Sequence, residues 1–216
     1  MPKTDIRVAQ SSADFEAAHG LIYSKYLDAG YVDAGAEHTV IRPEHGNAST
    51  DVLVASQDGA IVCTLTIFAD RLPLSGEYAN EVRQLSEDDQ ELTELGCFAS
   101  TSRSAVVINR LFNLAAQRSI FRGLNPILAA VHPKHTRFYK RMFGFEVVAG
   151  PRAYDKANGH PSVLLKCDLD RLVAGNSSQR ALFNRAHGEP FPIAKIVAQW
   201  AVWETRADVL SPLIAA

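Results

Sequence analysis

The chain of 216 residues is long enough to form one full core, and its 47% hydrophobic and 21% charged residues are ordinary values for a globular domain. A net charge of −2 at pH 7 gives no global attraction to nucleic acid, so any basic binding surface must be local. Three cysteines, each inside an apolar run, predict reduced thiols and a cytoplasmic location, without a disulfide framework or a metal site. The N-terminus has no apolar leader, and no run approaches the ~18 apolar residues of a membrane span.

The first half of the chain predicts a strand, a helix, a loop and a hairpin. In chain order these are a strand at 6–9, a helix from Ser12 to Gly30, a loop at 31–49, and two strands at 51–56 and 61–68. The dipeptide Asp58-Gly59 between the last two strands is typical of a β-hairpin turn. A second short helical stretch is expected to end near Ser86.

Strands and helices alternate in the second half. The predicted elements are a strand at 92–99, a long helix at 103–122, a strand at 127–131, a short helix at 134–143, a loop at 150–159 and a strand at 162–169. Strict alternation places Glu94, Gly96 and Phe98 on one face of their strand, and the helical period turns Asn109 away from the core. This order predicts an α/β (α+β) domain with a mixed central sheet flanked by helices.

The end of the chain differs in composition from the rest. Residues 1–170 are predicted to form one domain, and 171–216 a linker followed by an amphipathic helix at 193–209. The apolar face of this last helix is expected to pack against another surface. Docking on its own domain is the first interpretation, and a dimer partner or a membrane surface is the alternative.

Residues 125–145, NPILAAVHPKHTRFYKRMFGF, carry the most informative pattern. An apolar strand stops at Pro133, and a helical period then begins, which places His135 and Tyr139 on an inward face. Four cations are expected on the outward face: Lys134, Arg137, Lys140 and Arg141.

This strand, followed by H-P-K-H and F-Y-x-x-x-F-G-F, resembles the β–α–β unit of the GNAT-superfamily acyltransferases. More narrowly, it resembles the long-chain N-acyl amino acid synthases, which are relatives of the N-acylhomoserine lactone synthases. The resemblance covers about residues 5 to 170. It implies a GNAT-like acyl-CoA N-acyltransferase fold, to which residues 171–216 would add a C-terminal helical appendage.

The same resemblance implies an N-acyltransferase that moves a long-chain fatty acyl group to the α-amine of an amino acid. The donor would be an acyl-phosphopantetheine thioester, carried by acyl carrier protein or by CoA, and no cofactor would be permanently bound. Two alternatives remain open: an acetyl-CoA-dependent N-acetyltransferase, and a non-catalytic module that binds acyl ligands.

Glu94 is a carboxylate in the middle of an apolar strand, a placement that costs free energy unless the group is hydrogen-bonded or lies in a wet cleft. The homoserine lactone synthases carry E-x-S-R-F on the matching strand, where this chain has E-L-G-C-F. Glu94 and Phe98 match, whereas Gly96 and Cys97 replace the serine and the arginine. Glu94 is therefore a candidate general base for an amine other than homoserine, with a water-facing glutamate on an edge strand as the alternative.

Tyr139 matches a superfamily tyrosine that protonates the leaving thiolate, a task that suits a phenol, which is a donor at neutral pH. His132 and His135 flank the strand end and are candidate acceptors of the amine's proton. The structural alternatives are a core tyrosine and two hydrogen-bonded histidines.

Binding sites are predicted around these groups. The backbone at Phe98 and Ala99 would stabilise the oxyanion, and Ser102, Arg103 and Ser104 at a helix N-terminus would hold one phosphate of the donor or would simply cap the helix. Lys134, Arg137, Lys140 and Arg141 would attract acidic acyl carrier protein, unless they form only a solvated helix face. Arg152 and Tyr154 would bind the carboxylate of the amino acid acceptor.

Overall fold

The computed structural model describes residues 3–35, 40, 42–86 and 91–170. Within these residues the strands are β1 (Thr4–Val8), β2 (Asp51–Gln57), β3 (Ala60–Ala69), β4 (Glu91–Ser100), β5 (Leu124–Val131), β6 (Glu146–Tyr154) and β7 (His160–Cys167). The α-helices are α1 (Ser12–Asp28), α2 (Ala79–Ser86), α3 (Ala105–Phe121) and α4 (Thr136–Phe143). The linker and helix predicted at 171–216 lie outside the described residues, so that domain boundary stays a prediction.

The strands form one mixed sheet in the order β1-β2-β3-β4-β5-β7-β6. The β4–β5 pair is parallel, and the other neighbouring pairs of the described sheet are antiparallel. The predicted hairpin is confirmed between β2 and β3, where Asp58 and Gly59 both have positive φ angles of 52° and 88°. A two-residue turn with two positive φ angles matches the twist of the flanking strands. The predicted mixed sheet flanked by helices is therefore confirmed.

Helices cover both faces of the sheet. On one face, Leu111 and Phe112 of α3 join Tyr139 and Phe143 of α4 in the largest buried cluster. On the other face, Ile22 of α1 packs with a smaller cluster around β3 and β4. The cysteines at 63, 97 and 167 are buried and unpaired. None of the helices in the described ranges is long and apolar enough to cross a membrane.

Two predictions about local structure were wrong. Asn109 is buried at 5% exposure instead of facing away from the core. The segment predicted as a loop at 150–159 begins as strand, because β6 runs on to Tyr154. Gly150 and Pro151 suggested a loop, yet β6 is an edge strand, where a missing backbone donor is tolerated. Register shifts on either side of Ala149 accommodate the irregular backbone.

The β4–β5 pair opens at its carboxyl end. The last paired residues are Glu94 and Leu128, although β4 continues to Ser100 and β5 to Val131. Beyond this pair, the backbone groups of β4 that face β5 have no strand partner on that side. The consequence is a wedge-shaped opening between the two central strands.

A β-bulge in β4 accompanies this opening. Thr64 pairs with Ala99 and Thr66 with Gly96, so two residues of β4 oppose one residue of β3. Cys97 within the bulge has a positive φ of 51°. The bulge reverses the alternation of side chains, and the predicted common face of Glu94 and Phe98 was wrong: Phe98 packs against the α3 side of the sheet, with its ring 5.3 Å from that of Phe112.

Candidate active site

A cavity of about 500 Å³ fills the opening between β4 and β5. This volume lies within the range of small-molecule sites. Its wall contains β4 from Leu95 to Ser100, the end of β5, the start of α4 and the end of α1. Among the predicted site residues, those that line the cavity are Phe98, Ala99, His132, Lys134, His135 and Tyr139. The structure thus brings six predicted residues from two separate stretches of the chain, 98–99 and 132–139, to one cavity.

Tyr139 forms the part of this wall contributed by α4. Its ring is 8% exposed and packs edge-on against Phe112, Phe143 and Phe145 at centroid distances of 5.8, 6.0 and 5.5 Å. Burial raises the pKa of the phenol far above its usual value. Tyr139 is therefore a protonated donor held in one orientation by aromatic neighbours.

His132 has a defined tautomer. Its Nδ1 accepts a hydrogen bond from the backbone N–H of Lys134 at 3.2 Å, which places the proton of the neutral ring on Nε2. Burial, followed by Lys134 and His160, lowers the pKa of His132, so the ring is neutral at pH 7. In this arrangement His132 is a hydrogen-bond donor, not the proton acceptor that was expected. The ring of Tyr31 stacks on it at 6.3 Å.

His135 lines the same cavity, three residues after His132. Desolvation at the cavity wall, together with Lys134 and His132, lowers the pKa of its ring. A neutral imidazole that lines the cavity has a nitrogen lone pair available for an amine proton.

Glu94 is 3% exposed and is not among the residues that line the cavity, although the next residue, Leu95, is. Its Oε2 accepts a hydrogen bond of 2.8 Å from the backbone N–H of Leu74. Burial raises the pKa of Glu94 to about 8, against the opposing effects of that hydrogen bond and of Arg42. A Cβ at Gly96 would lie 3.0 Å from the Phe68 ring and 3.4 Å from Glu94 Oε1, so this neighbour must be small.

The predicted phosphate-binding residues lie at the N-terminus of α3. Ser104 is the N-cap, but its side chain makes no capping hydrogen bond, and its backbone N–H donates to Ser102 Oγ at 3.2 Å. Arg103 is exposed. These residues do not line the cavity, whereas Ser100, two residues before Ser102, does. The uncapped N-terminus of α3 thus follows the cavity wall closely along the chain.

The four cations predicted on the outward face of α4 are all exposed: Lys134, Arg137, Lys140 and Arg141. Lys134 is exposed and also lines the cavity. Its Nζ lies 5.7 Å from the centroid of the Tyr31 ring. The positive surface thus reaches the edge of the cavity.

The structure separates Arg152 from Tyr154. Arg152 pairs with Glu81 and donates to the backbone oxygen of Glu77 at 2.8 Å, away from the cavity. Tyr154 is 7% exposed and lines a second, smaller cavity of about 70 Å³. Arg42 lines that smaller cavity too. Sequence reasoning missed Arg42, since a single arginine in an irregular segment has no period or motif to distinguish it.

Comparison with known proteins gives the family. The family profile described as "N-acyl amino acid synthase FeeM" matches residues 17–168. The structure of FeeM, an N-acyl amino acid synthase from uncultured soil microbes, is similar with a TM-score of 0.69 at 18% identity, over 78% of this chain and 92% of that one. No curated protein sequence matches the chain.

Two further solved structures show how widely the fold is shared. The CoA-dependent acyl-homoserine lactone synthase BjaI is similar with a TM-score of 0.61 at 12% identity, over 87% of this chain and 91% of that one. An N-acetyltransferase from Staphylococcus aureus is similar with a TM-score of 0.54 at 11% identity, over 78% of this chain and 99% of that one. The GNAT-like fold and the predicted resemblance are confirmed. The chain belongs to the N-acyl amino acid synthase FeeM family and is an acyltransferase that makes N-acyl compounds.

Proposed function

We propose that this enzyme transfers a long-chain fatty acyl group from a phosphopantetheine thioester to the α-amine of an amino acid. The observation that carries the proposal is the cavity of about 500 Å³ between the diverging ends of β4 and β5, with Tyr139 in its wall. Membership of the N-acyl amino acid synthase FeeM family supports the amino acid as acceptor.

The reaction needs an oxyanion site, a proton acceptor and a proton donor. The amine nitrogen bonds to the thioester carbonyl carbon while His135 takes a proton from the nitrogen. Unpaired backbone N–H groups of β4 near Phe98 and Ala99 stabilise the resulting oxyanion. The C–S bond then breaks, and the leaving sulfur takes the phenol proton of Tyr139. The products are an amide and a free thiol, and no covalent enzyme intermediate is needed.

The Nε2–H of His132 is a further hydrogen-bond donor for this reaction. Because its Nδ1 is occupied by the backbone of Lys134, it is suited to hold an oxygen of either substrate. Glu94 does not line the cavity. We propose that it orients neighbouring groups of β4.

We further propose that acyl carrier protein supplies the acyl group. Arg103 and the uncapped first turn of α3 offer one phosphate a cation and free N–H groups beside the cavity. The exposed cations of α4 continue this positive surface and suit an acidic carrier. The similarity to BjaI, a CoA-dependent acyl-homoserine lactone synthase, makes acyl-CoA the alternative donor. Comparing turnover with acyl carrier protein, long-chain acyl-CoA and acetyl-CoA distinguishes these donors.

Replacement of Tyr139 by phenylalanine tests the catalytic assignment. Tyr139→Phe removes the proton donor but keeps the aromatic packing, so kcat is expected to fall about 100-fold while KM and the melting temperature change little. Steady-state assays with a long-chain thioester and a mixture of amino acids measure this effect.

Tyr78→Phe is the matched control. Tyr78 is fully buried and does not line the cavity of about 500 Å³; its hydroxyl donates to the backbone oxygen of Ser162 at 2.7 Å. This variant is expected to lose stability and to keep its turnover. Wild-type kcat in Tyr139→Phe would remove Tyr139 from the mechanism.

A further inference from the structure

Arg42 places a buried positive charge beside the candidate active site. The Nε and Nη1 atoms of its guanidinium are buried and have no hydrogen-bond partner within the described part of the chain. Nη2 makes one long hydrogen bond of 3.5 Å to the backbone oxygen of Lys156. A buried charge with free N–H donors costs free energy until an acceptor reaches it.

Among the described residues, the side chains around Arg42 supply only a weak acceptor, because the Cys97 sulfur that hydrogen-bonds to the guanidinium belongs to a thiol. Cys97, Tyr26, Tyr154 and Glu94 are its main electrostatic neighbours. Burial raises the pKa of the thiol and of both phenols, so these three groups are neutral at pH 7. Burial also favours the neutral carboxyl form of Glu94 at that pH, because its pKa is raised to about 8. The guanidinium charge is thus left without a full counter-charge among these neighbours.

Arg42 lines a smaller cavity that shares part of its lining with the acyl-transfer cavity. The smaller cavity of about 70 Å³ is lined by Arg42 and Tyr154 and shares Tyr26, Ala130 and His132 with the larger one. Its volume suits a small polar group, whereas an acyl chain needs the larger cavity of about 500 Å³. A molecule that fills both spaces therefore has an anionic end beside Arg42 and its remaining atoms beside Ala130 and His132.

We infer that Arg42 binds the α-carboxylate of the amino acid acceptor in the smaller cavity. The inference rests on the proposed function, since it identifies the acceptor subsite of that same reaction. With the carboxylate at Arg42, the α-carbon and its amine lie at the wall that the two cavities share, next to the thioester. An amine without a carboxylate leaves the guanidinium unpaired and is rejected.

Arg42→Gln and a pair of acceptors test this subsite. One acceptor is the amino acid that the wild type selects from a mixture, and the other is the amine formed by removing its carboxylate. The wild type is expected to favour the amino acid by roughly 100-fold in kcat/KM, as is typical of losing one partner of a buried charge pair. In Arg42→Gln the ratio of the two kcat/KM values falls to near one, because only kcat/KM for the amino acid decreases. Arg42→Lys recovers part of the preference for the amino acid.

Arg152→Gln is the matched control. Arg152 is the loop arginine that sequence reasoning favoured, but it pairs with Glu81 outside both cavities, so this variant keeps the wild-type ratio. If Arg42→Gln keeps that ratio as well, the subsite is elsewhere. If Arg42→Gln loses activity equally on both acceptors, its role is structural and the inference fails.

A binding measurement separates this inference from the proposed function. N-lauroyl-alanine and N-ethyl-lauramide differ only in the carboxylate, and their affinities are measured by calorimetry. The wild type is expected to prefer the carboxylate-bearing amide by tenfold or more, and Arg42→Gln is expected to lose this preference. Such a preference without any acyl transfer would reject the reaction and keep the subsite, whereas acyl transfer without the preference would reject the subsite alone.

Discussion

Glu94 shows how one side chain can couple the site to the stability of the fold. The carboxyl group is fully buried, and its single described hydrogen bond comes from the backbone of Leu74. Burial raises its pKa from 4.5 to about 8, so the folded protein holds this proton at pH values where the unfolded chain has released it. Raising the pH between these two values therefore destabilises the folded state.

Glu94→Gln is expected to remove this dependence. Relative to the variant, the wild type should lose on the order of 4 kcal/mol of unfolding free energy between pH 5 and pH 8, at about 1.4 kcal/mol per pH unit. Glutamine keeps an acceptor for the backbone N–H of Leu74, so the variant should fold. Urea unfolding at several pH values measures the difference.

Glu81→Gln is a control of opposite sign. The hydrogen bond from Arg152 lowers the pKa of Glu81, so its contribution to stability is lost as the pH falls. If the unfolding free energies of the wild type and Glu94→Gln change in parallel from pH 5 to pH 8, Glu94 has an ordinary pKa in the folded protein.

At the scale of single residues, chemistry could be predicted better than position. Glu94 stood out as a carboxylate in an apolar strand, and Tyr139 as a phenol in a recognisable motif. Whether these groups face the cavity depends on strand geometry, which the sequence does not express: Tyr139 lines the wall, whereas Glu94 is buried and does not. Arg42 had no local signal, because the groups that surround its guanidinium, such as Cys97 and Tyr154, are distant in sequence.

Among the elements, β4 deviates most from its sequence pattern. Leu92 to Ala99 was predicted as a strand, and β4 contains it. The bulge at Cys97 was not predicted, because an extra residue in a ladder leaves no mark in the apolar alternation of one strand. This bulge moves Phe98 to the α3 side and accompanies the separation from β5. The cavity therefore arises from an irregularity that only the pairing of β3 with β4 reveals.

Two proposed functions fall on opposite faces of helix α4, and the role of its outer face can be tested separately. Arg137→Glu combined with Arg141→Glu is expected to raise KM for an acyl carrier protein donor roughly tenfold, because the positive surface that attracts the carrier becomes negative. KM for a small acyl thioester should not change, since these side chains do not line the cavity. The effect on the carrier should diminish as the salt concentration rises.

Arg83→Glu combined with Arg110→Glu is the control for net charge. Both residues are exposed on other helices, so this variant carries the same change in charge without altering α4. An equal rise in KM for both donors, or the same effect from both double variants, would contradict docking on α4.

For the whole molecule, most of the order of elements from residue 4 to residue 167 could be predicted, because apolar periods and turn residues are local signals; the exception is β6, part of which was predicted as a loop. The sheet order could not be read from those signals: β7 lies between β5 and β6, so the chain's last described strand is inserted beside a central one. This insertion pairs β5 with β7 on one side and leaves its other side to β4. The two halves of the sheet therefore meet only along the paired start of β4 and β5.

This architecture predicts that a ligand in the opening stabilises the entire domain. A thioether analogue of long-chain acyl-pantetheine cannot transfer its chain, and it contacts both halves of the sheet when bound between them. At 100 times its Kd it adds about 2.7 kcal/mol to the unfolding free energy, which corresponds to a rise in Tm of about 5 to 10 °C for a chain of this length. Hydrogen exchange should slow together at residues 95–100 of β4 and 129–131 of β5, since these ends have no partner across the opening in the free protein. Pantetheine without the chain should give neither effect, because it lacks the apolar surface that the cavity buries. Protection confined to one strand, or an equal rise in Tm with pantetheine alone, would mean that the acyl chain binds outside the opening.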